Sequence, residues 1–300
     1  MFLRSPFLIL PLLLCASLAW ASPGAQTVNL KKDWQETSLT NDFVYSSWKN
    51  NSPPFGTNQT HQGLADLMSS SGASELCFPS SLTTAMVKQF AFQNRPVRNL
   101  KLAGLSPDQW TIDLNDSVRD FVVRCKTDPE SGTYMNDGAN CLHDFYKESG
   151  VEHFEIKLIR TFNSNIETPE VSNVRKKIEI SDIIDAIDNG YDVIGYVKWA
   201  RPDTNDRSWK GYAGHFVNIF GYARKIPWKD MIWLEVSNPM RVYDNESHIQ
   251  VFDPVFAEVI PADQTLNIPS SIGNIVLEGT GFNGNKNRGF LSGLLIFKAE

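Results

Sequence analysis

Apolar positions change their spacing partway along the chain, and the elements they predict change with it. Leu82, Met86 and Phe90 recur at i, i+4 and i+8 with Ala85 beside them, the spacing of one buried helix face. Pro79 suits the first turn of that helix, where its missing N–H has no partner to lose. Ser106-Pro107-Asp108 predicts a short helix by the same logic. Val118, Phe121, Val122 and Cys125 mark a helix that opens after Asn115. Another carries Leu142, Phe145 and Tyr146, beyond a turn-rich segment holding Pro129, Gly132 and Asp137-Gly138. From Glu155 the period shortens to two. Strands are predicted at Glu155–Arg160, Val193–Trp199, His215–Tyr222, Met231–Val236, His248–Phe252 and Phe290–Lys298. One further helix, capped by Ser181 and carrying Ile183, Ile184 and Ile187, ends at Asn189-Gly190. Helices first and strands afterwards predict an α+β protein, with an N-terminal helical part and a C-terminal antiparallel sheet.

Residues 1–21 read as a signal peptide rather than part of the fold. Arg4 precedes an apolar run from Phe7 to Ala19, and Ala19-Trp20-Ala21 offers small residues for cleavage near Ala21. The mature chain is then expected to be secreted or periplasmic. Residues 22–71 are polar, without a long periodic run, and read as an N-terminal arm or a propeptide; residues 72–300 form the main domain. The formal charge is -6, and no stripe of Lys or Arg emerges. Arg175-Lys176-Lys177 is flanked by Glu170 and Glu179, as on a solvated face. Nucleic acid and anionic membrane are therefore poor partners, and no later apolar run has the length of a membrane span.

Cysteine usage sharpens this. The chain holds four cysteines, of which Cys77, Cys125 and Cys141 follow the signal segment. An odd count in an oxidising compartment predicts one pair and one free thiol. Cys125 and Cys141 are close in sequence and would tie two helices across the turn-rich loop, leaving Cys77 free. A zinc site from Cys125, Cys141 and His143 lacks both ligand spacing and a fourth ligand, so no metal and no cofactor is expected. Glycosylation patterns begin at Asn50, Asn58, Asn115 and Asn245.

Cys77 stands where a polar loop meets a helix start. Free N–H groups and the helix dipole there favour a thiolate, which would react faster than an ordinary thiol. The competing reading is a small buried hydrophobe. His215 follows a turn with Gly211 and Gly214 and opens a strand; it lies 138 residues after Cys77. Asn238 closes the apolar strand before Pro239. A thiol, an imidazole and an amide in that order supply a nucleophile, a general base and a group to orient the base.

These motifs together resemble the papain-fold cysteine peptidases, most closely the group of double-glycine leader peptidases of bacteriocin export. Cys77-Phe78-Pro79-Ser80-Ser81 matches the Cys-Gly-Pro-Thr/Ser-Ser helix start of that group. Gly214-His215 through Gly221-Tyr222 matches its Gly-His strand, and Asn238-Pro239 its Asp-Pro or Asn-Pro strand end. The resemblance implies a papain-like cysteine proteinase fold over residues 72–300 and a peptide or protein substrate. It assigns Cys77 as nucleophile, His215 as general base and acid, and Asn238 as orienter. An acyl or peptidyl transferase on the same fold, or a catalytically inactive binding module, would carry the same signature. The chain departs from the pattern at the oxyanion hole: position 71 is Ser71 where the family places Gln, so Gln62 and Ser71 are the donor candidates. Phe78 replaces the usual Gly.

Overall fold

A computed structural model of the chain describes residues 27–29, 44–47, 57, 59, 62–69, 75–91, 102–103, 111–162, 168–224, 231–240, 253–259, 267–279 and 287–300. In chain order it forms β1 (Thr27–Asn29), β2 (Val44–Ser47), α1 (Cys77–Met86), β3 (Leu102–Ala103), β4 (Thr111–Asp113), α2 (Leu114–Arg124) and α3 (Met135–Glu148). There follow β5 (Phe154–Arg160), β6 (Val171–Arg175), α4 (Ile180–Asp188), β7 (Asp192–Asp203), β8 (Ser208–Arg224), β9 (Met231–Ser237), β10 (Asp253–Val259), β11 (Ile275–Glu278) and β12 (Arg288–Ala299). The signal segment, the expected helix at Ser106-Pro107-Asp108, the expected strand at His248–Phe252, and Asn50, Asn58 and Asn245 lie outside the described residues.

The strands from β7 to β12 pair antiparallel in sequence order, and β12 returns to pair with β7. That closes a six-stranded barrel and corrects the expected papain-like division into a helical part and an open sheet. The helices are few, and the principal structure is the barrel, with β5 and β6 added to it. Closure depends on β12 serving different partners along one edge. Gly289–Leu291 pair with β11, whereas Gly293–Ala299 pair with β5, and the register to β7 shifts between Leu291 and Gly293. Gly273, at φ +105°, passes against the Leu291 carbonyl where any Cβ would collide. A two-residue period reports strands but not which edges meet, so closure is invisible in the pattern.

One core joins Val197, Val217, Leu234, Val255, Leu277 and Leu291 of the barrel strands to Ile183 and Ile187 of α4. A second joins α1 and α3 to Phe216 of β8 and Leu295 of β12. All ten residues of α1 are buried. The expected amphipathic helix is therefore a helix without a solvent face, packed between β8 and α2. Its far end runs into a π turn, Val87–Ala91. There Lys88 Nζ meets Asp192 Oδ1 at 2.9 Å, Gln89 donates to Asp192 Oδ2 at 2.7 Å, and Tyr146 donates to Gln89 at 2.7 Å. Asp192 begins β7, so this buried network fixes the helix to the barrel. The N-cap of α4 is Glu179, in a capping box with Asp182, and not Ser181. The sequence before residue 72 also contributes. β2 pairs with β8, and Thr57 and Gln59 are buried.

Gly138 of α3 leaves room for the Phe78 ring, which fills the space a Cβ would need. Gly138→Ala should lower stability by about 1–3 kcal/mol through overpacking. That loss opposes the gain of about 1 kcal/mol that alanine brings to an open helix site. Chemical denaturation of the variant checks the sign; an unchanged or raised stability would contradict this packing.

Candidate active site

Cys77 lies where α1 meets β8, and His215 and Asn238 bond to each other where β8 meets the end of β9; of these three residues only Cys77 lines the cleft beside the helix start. The helix is seated by two polar bonds: Ser81 Oγ donates to the Phe216 carbonyl at 3.3 Å, and Asn218 Nδ2 donates to the Ser81 carbonyl at 3.0 Å. β9 pairs with β8 only as far as Asn218 opposite Ser237. Beyond it no strand among the described residues pairs with that edge of β8, and the first turns of α1 come against it. The Phe216 main chain is close enough to the Cys77 sulfur to oppose the rise in its pKa, which places the thiol near the peptide linking His215 to Phe216. His215 lies within β8 rather than at the loop-to-strand junction expected, because the hairpin from β7 turns earlier, at Asp203–Ser208.

Asn238 follows the last residue of β9. Its Oδ1 accepts the Met240 N–H at 3.0 Å and lies 2.8 Å from His215 Nε2. A main-chain N–H can only donate, so Oδ1 is an acceptor at this site, and His215 Nε2 must carry the hydrogen. The neutral ring then has Nδ1 as its basic nitrogen. Gln59 braces the same corner, with its N–H donating to Pro239 O at 3.1 Å, while Thr57 N–H donates to Thr84 Oγ1 of α1 at 3.0 Å. Neither residue carries a sequence signal beyond being polar.

Burial, not the helix dipole, sets the charge state. Cys77 is 6% exposed and His215 3%. Desolvation pushes the Cys77 thiol up to about 11; the N–H groups of Phe216, Phe78 and Cys77 oppose it, and the Glu75 charge adds to it. Desolvation takes His215 down to about 4, against the Asn238 bond. The expected resting thiolate is therefore replaced by a neutral thiol, and the imidazole is neutral as well.

Cys77 lines a cleft of about 510 Å³. One wall is the loop from Glu130 to Met135; the other is the β7–β8 hairpin with Tyr196, Lys198 and Gly211–Gly214. A Cβ at Gly214 would strike the Tyr196 phenol, and one at Gly211 the Lys198 stem, so these glycines let both side chains lie across β8. Tyr196 is raised by burial and then by the Cys77 charge, which places it near the thiol. The Phe78 ring is fully buried, edge-on to Phe216 at 4.9 Å, and is not part of the cleft lining. Gln62 opens a short 3-10 turn, Gln62–Leu67, but its side chain, like the whole of Ser71, lies outside the described residues. Cys125 and Cys141 form a disulfide, and Cys77 is free. Among the described residues no group of three His, Cys, Asp or Glu is placed to hold a metal ion. Asn115, which begins a glycosylation pattern, is buried in α2.

The buried neutral imidazole has a consequence for stability. Between about pH 6.5 and 4 the unfolded chain binds a proton at His215 that the folded chain does not. Stability should fall as pH drops through that window, by up to about 3 kcal/mol, and His215→Gln should flatten the slope. Urea titrations of both proteins between pH 7 and 4 measure it; parallel slopes would contradict the burial of a neutral ring.

Among the described residues no helix is long and apolar enough to cross a membrane. No family model, curated protein or solved structure matches the chain, so the site is read from its own geometry.

Proposed function

We propose that the protein is a secreted or periplasmic cysteine hydrolase that cleaves peptide bonds through a thioester on Cys77. The observation that carries this reading is the His215 Nε2–Asn238 Oδ1 bond of 2.8 Å, which fixes the tautomer with Nδ1 basic while the thiol lies against the peptide following His215. Such a tautomer is useful to a nucleophile that must lose its proton as it attacks.

In the proposed reaction the Cys77 sulfur attacks the substrate carbonyl as its proton passes to His215 Nδ1. The tetrahedral oxyanion lies near the start of α1. Ser80 N–H makes the first main-chain bond of that turn, to the Leu76 carbonyl, and Pro79 has no N–H. The Cys77 and Phe78 N–H groups are the ones remaining, and both face the sulfur. The C–N bond then breaks, and the imidazolium gives its proton to the leaving amine. Water, deprotonated by His215, releases the acid and restores the thiol. Asn238 acts through geometry alone.

A positional-scanning fluorogenic peptide library tests the proposal. Cys77→Ala should abolish cleavage, and His215→Ala should reduce kcat by about 10²–10⁴. Asn238→Ala should cost less, up to about 10². Because the thiol is protonated at rest, its alkylation by iodoacetamide should keep rising with pH toward about 11, whereas a preformed thiolate would react at a rate that is flat above mildly acidic pH. A second reading, a binding module without catalysis, is favoured by the burial of Cys77 and its raised pKa. Peptide binding to Cys77→Ala with no cleavage by the unmodified protein would select it.

A further inference from the structure

We infer that the cleft over Cys77 selects a substrate carrying a cationic side chain, lysyl or arginyl, beside the attacked carbonyl. Glu75 and Glu130 form the acidic wall, and Tyr134 and Tyr212 form the aromatic rim. This deepens the peptidase reading and rests on it for the word substrate.

The two carboxylates come from segments far apart in sequence that are brought together at the cleft. Glu75 precedes Cys77 by two residues and packs against Gly132, whose φ of +77° turns the loop. Glu130 stands on that same loop. The loop holds its shape: Asp128 Oδ1 accepts the Glu130 N–H at 2.9 Å and the Ser131 N–H at 2.8 Å, while Asp128 and Gly132 exchange main-chain bonds of 3.1 and 2.8 Å. Thr127 and Thr133 hydroxyls meet at 2.7 Å across its neck, and the Cys125–Cys141 disulfide encloses it. Glu75 is raised first by partial burial and then by the Glu130 charge, so two like charges share one wall.

The cleft offers more than this acidic pair. Cys77, free and more than nine-tenths buried, lines the same space. Tyr134 is 66% exposed and Tyr212 50%, and both line the cleft. Large exposed tyrosines at a carboxylate-lined opening suit an alkylammonium or guanidinium, whose stem packs on the rings while its charge meets the carboxylates. Among the described lining residues Lys198 is the one basic side chain, beside the two carboxylates Glu75 and Glu130.

The test reads charge selection at Cys77 without requiring catalysis. Three methanethiosulfonates are compared at low ionic strength: aminoethyl (cationic), methyl (neutral) and sulfonatoethyl (anionic). Each forms a mixed disulfide with the thiolate and releases methanesulfinate, and mass spectrometry locates the adduct. The cationic reagent should react about tenfold faster than the neutral one, and the anionic one slower. Glu75→Gln and Glu130→Gln should each reduce that ratio, and the double variant should bring it near one, as should about 1 M salt. Ratios cancel any change in thiol pKa. If burial excludes all three reagents, calorimetry with Cys77→Ser compares an acetylated lysyl peptide amide with its norleucyl analogue. Equal rates, or equal affinities, would overturn the inference, as would a preference that survives in the double variant. Charge preference without cleavage would keep this inference and remove the peptidase reading. Cleavage without charge preference would do the reverse.

Discussion

The structure depends on the seating of α1, a helix with no solvent face, against the barrel. A helix buried on all sides strands its polar groups unless they find partners, and Ser80 Oγ and Thr83 Oγ1 find none among the described residues. Other polar groups carry part of the attachment. Ser81 and Asn218 fix the nucleophile end to β8, and Lys88, Gln89 and Asp192 fix the other end to β7. Desolvation takes Lys88 down to about 8 while Asp192 holds it up. A buried pair of this kind adds little net stability, but losing one partner strands a charge and costs several kcal/mol. It therefore fixes where the helix sits more than how stable the fold is. The position of Cys77 against the Phe216 main chain of β8 follows from that registration.

The same burial decides the chemistry. A helix N-terminus favours an anion by about 1 kcal/mol or somewhat more, whereas enclosing the thiol raised its pKa by far more than that dipole can offset. The free thiol therefore rests protonated, and the proposed reaction requires a base to take its proton. Asn238 bears on that requirement: with Met240 N–H donating to the same oxygen, the amide cannot present its NH2 to the ring. Bonding at Nε2 and basicity at Nδ1 are one constraint expressed at two atoms.

The placement of several candidate residues was legible because their types sit at element boundaries, where patterns change. Cys77 at a helix start and Asn238 after a strand are visible as such, and Cys125 and Cys141 flank one turn-rich loop. The fold was not legible to the same degree. Six antiparallel strands give the same alternation whether the sheet is open or closed, and closure turns on Gly273 and on the split edge of β12, neither of which changes the period. His215 was misplaced for a related reason: Gly211 and Gly214 resemble a turn, but they serve to admit Lys198 and Tyr196 across a continuous strand. The burial of α1 was hidden because Ser80, Ser81, Thr83 and Thr84 look like a solvent face. Thr84 instead returns its hydroxyl to the Ser80 carbonyl and to Thr57.

The disulfide gains a different meaning in this setting. Read from sequence it ties two helices. In the fold it encloses the loop that forms a wall of the cleft, between the end of α2 and the middle of α3. α3 also holds Gly138 against Phe78, the neighbour of Cys77. One cross-link thus bears on both a wall of the cleft and the packing of the helix that carries Cys77. Constraining the unfolded chain is worth about 3 kcal/mol for a loop of this size. Its second effect is geometric, because a loop already held by Asp128 and the Thr127–Thr133 contact loses little further freedom when a ligand arrives.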